Sequence, residues 1–404
     1  MNKFYQSLFE DKENQKKKME SSETKQANIM KSQEERISNM ETLLSKISEN
    51  IENIQASPAH NAVGLRVQNI ELANKLKSIK LIKNIPKVID NGYECDNKFC
   101  VIKTFKNENI IAYPNSKYGI NAYNLATNED KIIIKKAHES NIHCMSYCQN
   151  EKTQKTLLIT CSFDTNMNVY CIEDNWKLVK NFINAHNDYS IFSLDSLYNE
   201  ENGIIAISGN RNLEEVKIWF CEKSEKNKEI KVNSQVFCIK HNPKNVDEIF
   251  IGTNEGILQY NISKISDNDN KPEKSFIDNE IEKKSNHLCI CFLDNNEYNL
   301  IEGDEIGKIR IWALNTGNLI NKFERGILKY SINTLEKWDD RFIFGGSRDG
   351  KIILFDVIDC VQVNEIGSHN GYVYCVKITD HFQFGKIIVS CGFDGDLKIW
   401  GRKH

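Results

Sequence analysis

From about residue 100 onward, short apolar runs alternate with clusters of Asn, Asp and Gly. One four-residue signal recurs: an aliphatic residue, two residues, then an aromatic. It occurs as Ile120–Tyr123, Met167–Tyr170, Val216–Trp219, Ile257–Tyr260, Ile309–Trp312, Ile352–Phe355 and Leu397–Trp400, with the aromatics 41 to 52 residues apart. Aromatics make up only 9% of the chain, so seven in phase are not chance. Most are preceded by a turn dipeptide such as Asp349-Gly350 or Asp394-Gly395, and each turn by an apolar run such as residues 386–391. Apolar runs joined by such turns predict hairpins. A further strand precedes each hairpin, as at 372–378, and another often follows, as at 131–135. Four strands every ~45 residues predict the blades of an all-β propeller.

The first 57 residues have a different texture, without Gly or Pro. Ile37, Met40, Leu44, Ile47, Ile51 and Ile54 fall on alternating three- and four-residue steps, with Met30 one heptad upstream. That is the a/d seam of a coiled coil. The reading is a frayed or disordered polar segment over 1–28, a coiled-coil helix over 29–57, a hinge over 58–77 and the propeller over 78–404. The coil is expected to pair with itself or with a partner coil.

The repeats resemble the WD40 family, and the last one most closely. Gly367-Ser-His369, Ser390, Asp394 and Trp400 match the family's Gly-His, strand-b Ser, turn Asp and strand-c Trp. The resemblance implies a hydrogen-bonded tetrad within the blade, in which imidazole, hydroxyl, carboxylate and indole satisfy one another away from water. The second repeat matches with His138, Thr160 and Asp164, with Tyr170 in place of Trp. The third has His186, Ser208 and Trp219, with Asn212 as the stand-in for the turn Asp. The sixth keeps Asp349 but has Gly345 and Phe355, so its network should be missing. The others keep mainly the hydrophobic frame. The chain stops four residues after Trp400, which leaves the last blade short of an outer strand. The apolar run 78–85 is expected to supply it and close the ring.

Composition removes several function classes. Against 56 acidic residues stand 53 Lys and Arg, a net charge of −3, so a broad basic field for nucleic acid is absent and nucleic acid is disfavoured as a partner. No apolar run is long enough to span a membrane, and the N-terminus lacks a signal-type stretch. The expectation is a cytoplasmic protein, with a nuclear one as the alternative, and not a secreted one. The 13 cysteines follow the repeat: Cys144, Cys238, Cys289 and Cys375 share one slot, and Cys161 and Cys391 another. Buried packing explains them. His287, Cys289 and Cys291 would share a strand face, but no second ligand pair accompanies them. Gly303 to Lys308 lacks the spacing and the following helix of a phosphate loop. The set His369, Asp394 and Ser390 looks like a hydrolase triad, yet it recurs in register in a second blade, which argues for architecture. No catalytic residue, cofactor or metal is therefore expected.

The functional expectation is a non-enzymatic protein-interaction scaffold. The alternatives are a substrate receptor of a ubiquitin ligase, or a subunit similar to G-protein β or to a corepressor. In the WD40 family, residues at the start of the inner strand and just before the turn Asp point to one rim of the channel. Carried over, they are Asn370, Tyr372, Tyr374 and Phe393 in the last repeat, and Glu139, Asn141, His143 and Phe163 in the second. Arg348 and Arg211 are the counterparts in the sixth and third. Blades 7, 1 and 2 are expected to share this surface.

Overall fold

The computed structural model describes residues 71–86 and 98–402, apart from 188, 213, 266–270, 279–284, 295–298 and 324–329. The chain divides into two units, residues 1–72 and 73–404. The expected coil over 29–57, with its seam from Ile37 to Ile54, lies outside the described residues, as do 1–28 and most of the segment expected as a hinge.

The second unit contains seven four-stranded antiparallel sheets. In each, strands a to d run from the inside outward. The inner strands of blades 1 to 7 are Cys100–Lys103, Ile142–Asn150, Ser193–Asn199, Val236–Asn242, His287–Leu293, Ile332–Lys337 and Val373–His381. Successive inner strands are neighbours around the ring, and the last contacts the first. Six blades take their four strands in sequence order. The seventh does not: its outer strand is Lys80–Ile85, paired antiparallel with Leu397–Gly401 in a register that sets Leu81 against Trp400 and Ile85 against Leu397. N- and C-terminal strands thus close the ring, and blade 7 hides the edge that strand c would otherwise leave unpaired. The family's all-β, seven-bladed architecture is the one observed.

The alternation of each strand explains where the core lies. Faces of adjacent blades pack on one another, as where Leu194, Ile204 and Ala206 of blade 3 meet Ile159, Cys161 and Val169 of blade 2. The apolar side chains of strands b and c are almost all below 5% exposed, so the stabilising burial is between blades rather than within one central core. Outer strands read differently: Lys177–Phe182 leaves Leu178 and Val179 exposed.

Cysteine supplies a second link between inner strands. The thiols of Cys144, Cys238 and Cys289 each donate to the backbone carbonyl at the start of the next inner strand, at Ile191, His287 and Ile332, over 3.7, 3.4 and 3.4 Å. Inner strands of neighbouring blades do not form a ladder, so a small side chain with a weak donor suits this slot. Every described cysteine is a free thiol. No helix among the described residues is long and apolar enough to cross a membrane.

Candidate functional site

In the last blade His369 lies in the loop entering strand a, Ser390 on strand b, Asp394 in the b–c turn and Trp400 on strand c. The Trp400 indole donates to Ser390 Oγ at 2.8 Å. His369 Nε2 is 2.7 Å from the same oxygen, and its Nδ1 is 2.8 Å from Asp394. Burial lowers the His369 pKa, so the ring is neutral, and a carboxylate partner requires the proton on Nδ1. Nε2 is then an acceptor, and the Ser390 hydroxyl donates to it. The donors form one directed chain from indole to hydroxyl to imidazole to carboxylate. Asp394 also accepts from the Asn370 and Asp396 amides. Burial alone would raise its pKa, but His369 and these amides outweigh it and hold the carboxyl well below its usual range. Ser390 is fully buried, so its hydroxyl cannot meet a substrate. Gly367 is small for a reason: a Cβ there would lie 2.1 Å from the Trp400 ring.

The second blade holds three of the four members. His138 sits 2.8 Å from Thr160 and 3.0 Å from Asp164. Tyr170 does not join them; its hydroxyl donates instead to the Ala137 carbonyl at 3.1 Å. In the third blade the acidic member is Glu215, 3.1 Å from His186 Nδ1, while Ser208 receives the Trp219 indole at 2.7 Å and lies 2.7 Å from His186 Nε2. Asn212 is not that member: its backbone amide donates to Asn210. The longer turn moves the acid from the turn to strand c, where a glutamate reaches as far back as an aspartate does from the turn. In the sixth blade Asp349 accepts from Ser347 and the Lys351 amide. Phe355 fills the space beside Gly345, where a Cβ would lie 2.8 Å from the ring, and leaves no room for a strand-b hydroxyl.

Blade 5 carries a different arrangement. Arg310, fully buried on strand c, donates to Asp278, Glu302 and Asp304 over 3.0, 2.8 and 3.0 Å. Glu302 also pairs with His287. Glu302 takes the strand-b position of Ser390 and Ser208, opposite Arg310 as those serines are opposite Lys398 and Lys217. Asp278 comes from the loop before the blade, where blades 2, 3 and 7 have His. The hydrogen-bonded set has become an ionic one with a carboxylate in the loop and the cation on strand c. Burial would raise the Glu302 pKa, yet His287 and Arg310 hold it low; in Asp304 burial prevails and raises the pKa. The sequence signal was available in Glu302 and Arg310 at the equivalent positions, but an ionic pattern is invisible to a search for the His–Ser–Asp–Trp set. His287 is thus engaged with Glu302, and Cys289 with the Ile332 carbonyl.

The nominated partner face divides. Phe393 is 46% exposed, and Asn370, Glu139 and Arg348 are also exposed; Tyr372, Asn141, Phe163 and Arg211 are half-buried. Tyr374 and His143 were expected to be exposed and are not, at 3% and 1%. Both lie one step inside the rim, where the next blade covers them. Tyr374 packs among Phe99, Tyr113 and Cys375 beneath Lys98. His143 is wedged 3.6 Å from the Phe163 ring centre and 5.2 Å from that of Phe192, and burial pushes its pKa down to about 2. Two groups lie along this rim, the first largely exposed and the second half-buried, with its Phe237 covered. In blades 6 and 7, Arg348 lies 4.8 Å over Tyr372, which stands 5.8 Å from Phe393. Across blades 2 to 4, Phe163 and Phe192 continue to Arg211, which lies over Phe192 and Phe237 at 4.8 and 4.9 Å. Phe192 and Phe237 occupy the slot of His143 and Tyr374, and extending the carry-over to blades 3 and 4 would have found them.

The hierarchy of networks predicts a hierarchy of losses. Arg310→Met should cost ~3–5 kcal/mol by stranding buried carboxylates. Asp394→Ala should cost ~1–3 kcal/mol, and Asp349→Ala less than ~1 kcal/mol, typical of a surface change. Equal losses in urea unfolding would refute the assignment of these networks.

A family model for the WD domain, G-beta repeat (WD40), matches residues 360–401, from the outer strand of blade 6 through the last hairpin of blade 7. The chain is also similar to the pre-mRNA-splicing factor PRP46 of Debaryomyces hansenii, 27% identical over 111 residues. That match covers 26% of this chain and 27% of the relative's length. The repeat match, the directed tetrad within it and seven four-stranded blades together place the chain in the WD40-repeat family.

Proposed function

We propose that this propeller is a non-enzymatic scaffold that binds protein partners on the face carrying the b–c turns. The observation that supports it most is the Arg–aromatic rim: exposed Arg348 over Tyr372, with Phe393 beside that ring, in blades 6 and 7, and half-buried Arg211 over Phe192 and the buried Phe237 in blades 3 and 4. Arginine and aromatics dominate protein interfaces because they bury large area at low entropic cost and add forked or cation–π contacts. Their backbones are held by the blades: the Phe393 amide donates to the Tyr372 carbonyl at 2.7 Å, and the Arg348 amide to that of Ser331 at 3.0 Å. A preorganised face of this kind loses little freedom on binding.

In the same reading residues 29–57 form a coiled coil that joins copies of the chain or anchors it to a partner coil, residues 1–28 are frayed, 58–77 form a hinge, and the propeller begins at 78. The setting is cytoplasmic; the similarity to a splicing factor is compatible with a nuclear alternative.

Phe393→Ala combined with Arg348→Ala should abolish capture of partner proteins by the full chain. Both side chains are exposed, so the melting temperature should move by no more than a few degrees. Undiminished capture of every partner would contradict this face as the site. Light scattering should show a multimer or a mixed complex for 1–404 and a monomer for 77–404; a monomeric full chain that recruits nothing through 29–57 would contradict the coil.

A further inference from the structure

One side chain per blade stands at the same register position on the inner strand. In every blade it is opposite the strand-b residue that follows the partner of the strand-c aromatic, as Lys377 is opposite Val389, next to the Trp400 partner Ile388. The charged members are Asp195, Lys240, Glu336 and Lys377 in blades 3, 4, 6 and 7. Cys100, Ser146 and Cys291 occupy the position in blades 1, 2 and 5. All but Cys291 border a cavity of about 430 Å³ in the central channel. It lies among the later halves of the inner strands, away from the loops and b–c turns of the Arg–aromatic face. Its volume is in the range of small-molecule sites, ~300–1,000 Å³.

The charges are not equally committed. Asp195 Oδ2 accepts from both the backbone amide and the imidazole of His241, each at 2.7 Å. Glu336 and Lys377 stand 3.8 Å apart across two blades. Lys240 is half-buried, and no carboxylate of the described residues lies within ion-pair distance of it. Lys240 borders the cavity together with Lys377, and its charge is felt at Asp195 as well as at Cys100 and Cys291, whose thiols burial pushes up to about 12. Two carboxylates thus face two lysines on this circle; Asp195 and Glu336 each have a partner at ion-pair distance, whereas Lys240 acts on Asp195 only from beyond it. The lining also includes Tyr147 and Tyr198, with the buried Leu197 behind them.

We propose that this channel cavity binds a small organic anion, its carboxylate or phosphate seated on Lys240 with Lys377 beside it, and its apolar body against Tyr147 and Tyr198. A partly desolvated ammonium gains most from an acceptor that carries full charge. A cationic ligand would meet Lys240 and Lys377, while the carboxylates in the same lining are already engaged, Asp195 by His241 and Glu336 by Lys377. The site is independent of the partner face and does not rest on the scaffold reading.

The test is calorimetric titration of the full chain with benzoate, phenyl phosphate and benzylamine, three molecules with the same ring and different charged groups. At least one anion should bind saturably, one per chain, and benzylamine should not. Binding of phenyl phosphate alone identifies a phosphate ligand, and binding of benzoate alone a carboxylate ligand. Lys240→Gln should weaken the anion at least tenfold with little change in the melting temperature of the free protein, and Lys240→Arg should retain most of the affinity. The proposal fails if neither anion binds at millimolar concentration, if benzylamine binds as well as they do, or if a folded Lys240→Gln chain binds like the wild type. The comparison of anion with cation stands on the wild-type chain alone, should the variant not fold.

Discussion

Everything in this propeller depends on one antiparallel pairing, that of Lys80–Ile85 with Leu397–Gly401. Blades pack face to face, so each of them is stabilised by two neighbours, and an open ring would leave two blades with one apolar face in water. The pairing makes blade 7 a composite of both ends of the propeller segment, and blade 7 also carries the most complete tetrad. Closure sets the channel too. With the ring shut, Lys377 of blade 7 and Cys100 of blade 1 become neighbours on one circle, and the tyrosine at 374 is covered by Phe99.

Within that frame the blades solve one problem with different chemistry. Loop, strand b and strand c must be tied together where water is excluded, and more than one donor–acceptor set does so, although the ionic set of blade 5 leaves the buried Trp312 indole without a partner among the described residues. Blade 7 uses four neutral or singly charged groups in a directed chain. Blade 3 moves the acid to Glu215 on strand c. Blade 5 substitutes ions, with Arg310 fully buried among three carboxylates. Blade 6 abandons the polar set and fills the space with Phe355 against Gly345. The ionic solution is costly to bury and costlier to break, so blade 5 is more sensitive to single substitutions at these positions than blade 6.

The repeat period, the turns, the tetrad of blade 7 and the His138–Thr160–Asp164 set of blade 2 could be read from the sequence because they are local: each signal sits within about 30 residues of its partners. What could not be read needed register. Strand a in blades 2, 4, 5, 6 and 7 has an irregularity near its first residue, as between Val373 and Cys375, which changes the phase of inward and outward positions. The carry-over of family rim positions assigned Tyr374 and His143 to the exposed rim, but both sit at this irregularity, where the next blade covers them. The channel circle of Lys240, Glu336 and Lys377 stayed hidden for the same reason: its members share no residue type, only a position. Glu215 was missed because an extra turn residue directs attention to the turn rather than to the strand after it.

Native-state hydrogen exchange tests the closure most directly. If the ring is closed as described, amides of Lys80–Ile85 that pair with Leu397–Gly401 exchange only in the global unfolding reaction, at the same free energy as the strand-b amides of blade 7. Exchange of the 80–85 amides at free-chain rates, with Leu397–Gly401 unprotected on its outer edge, would contradict the account.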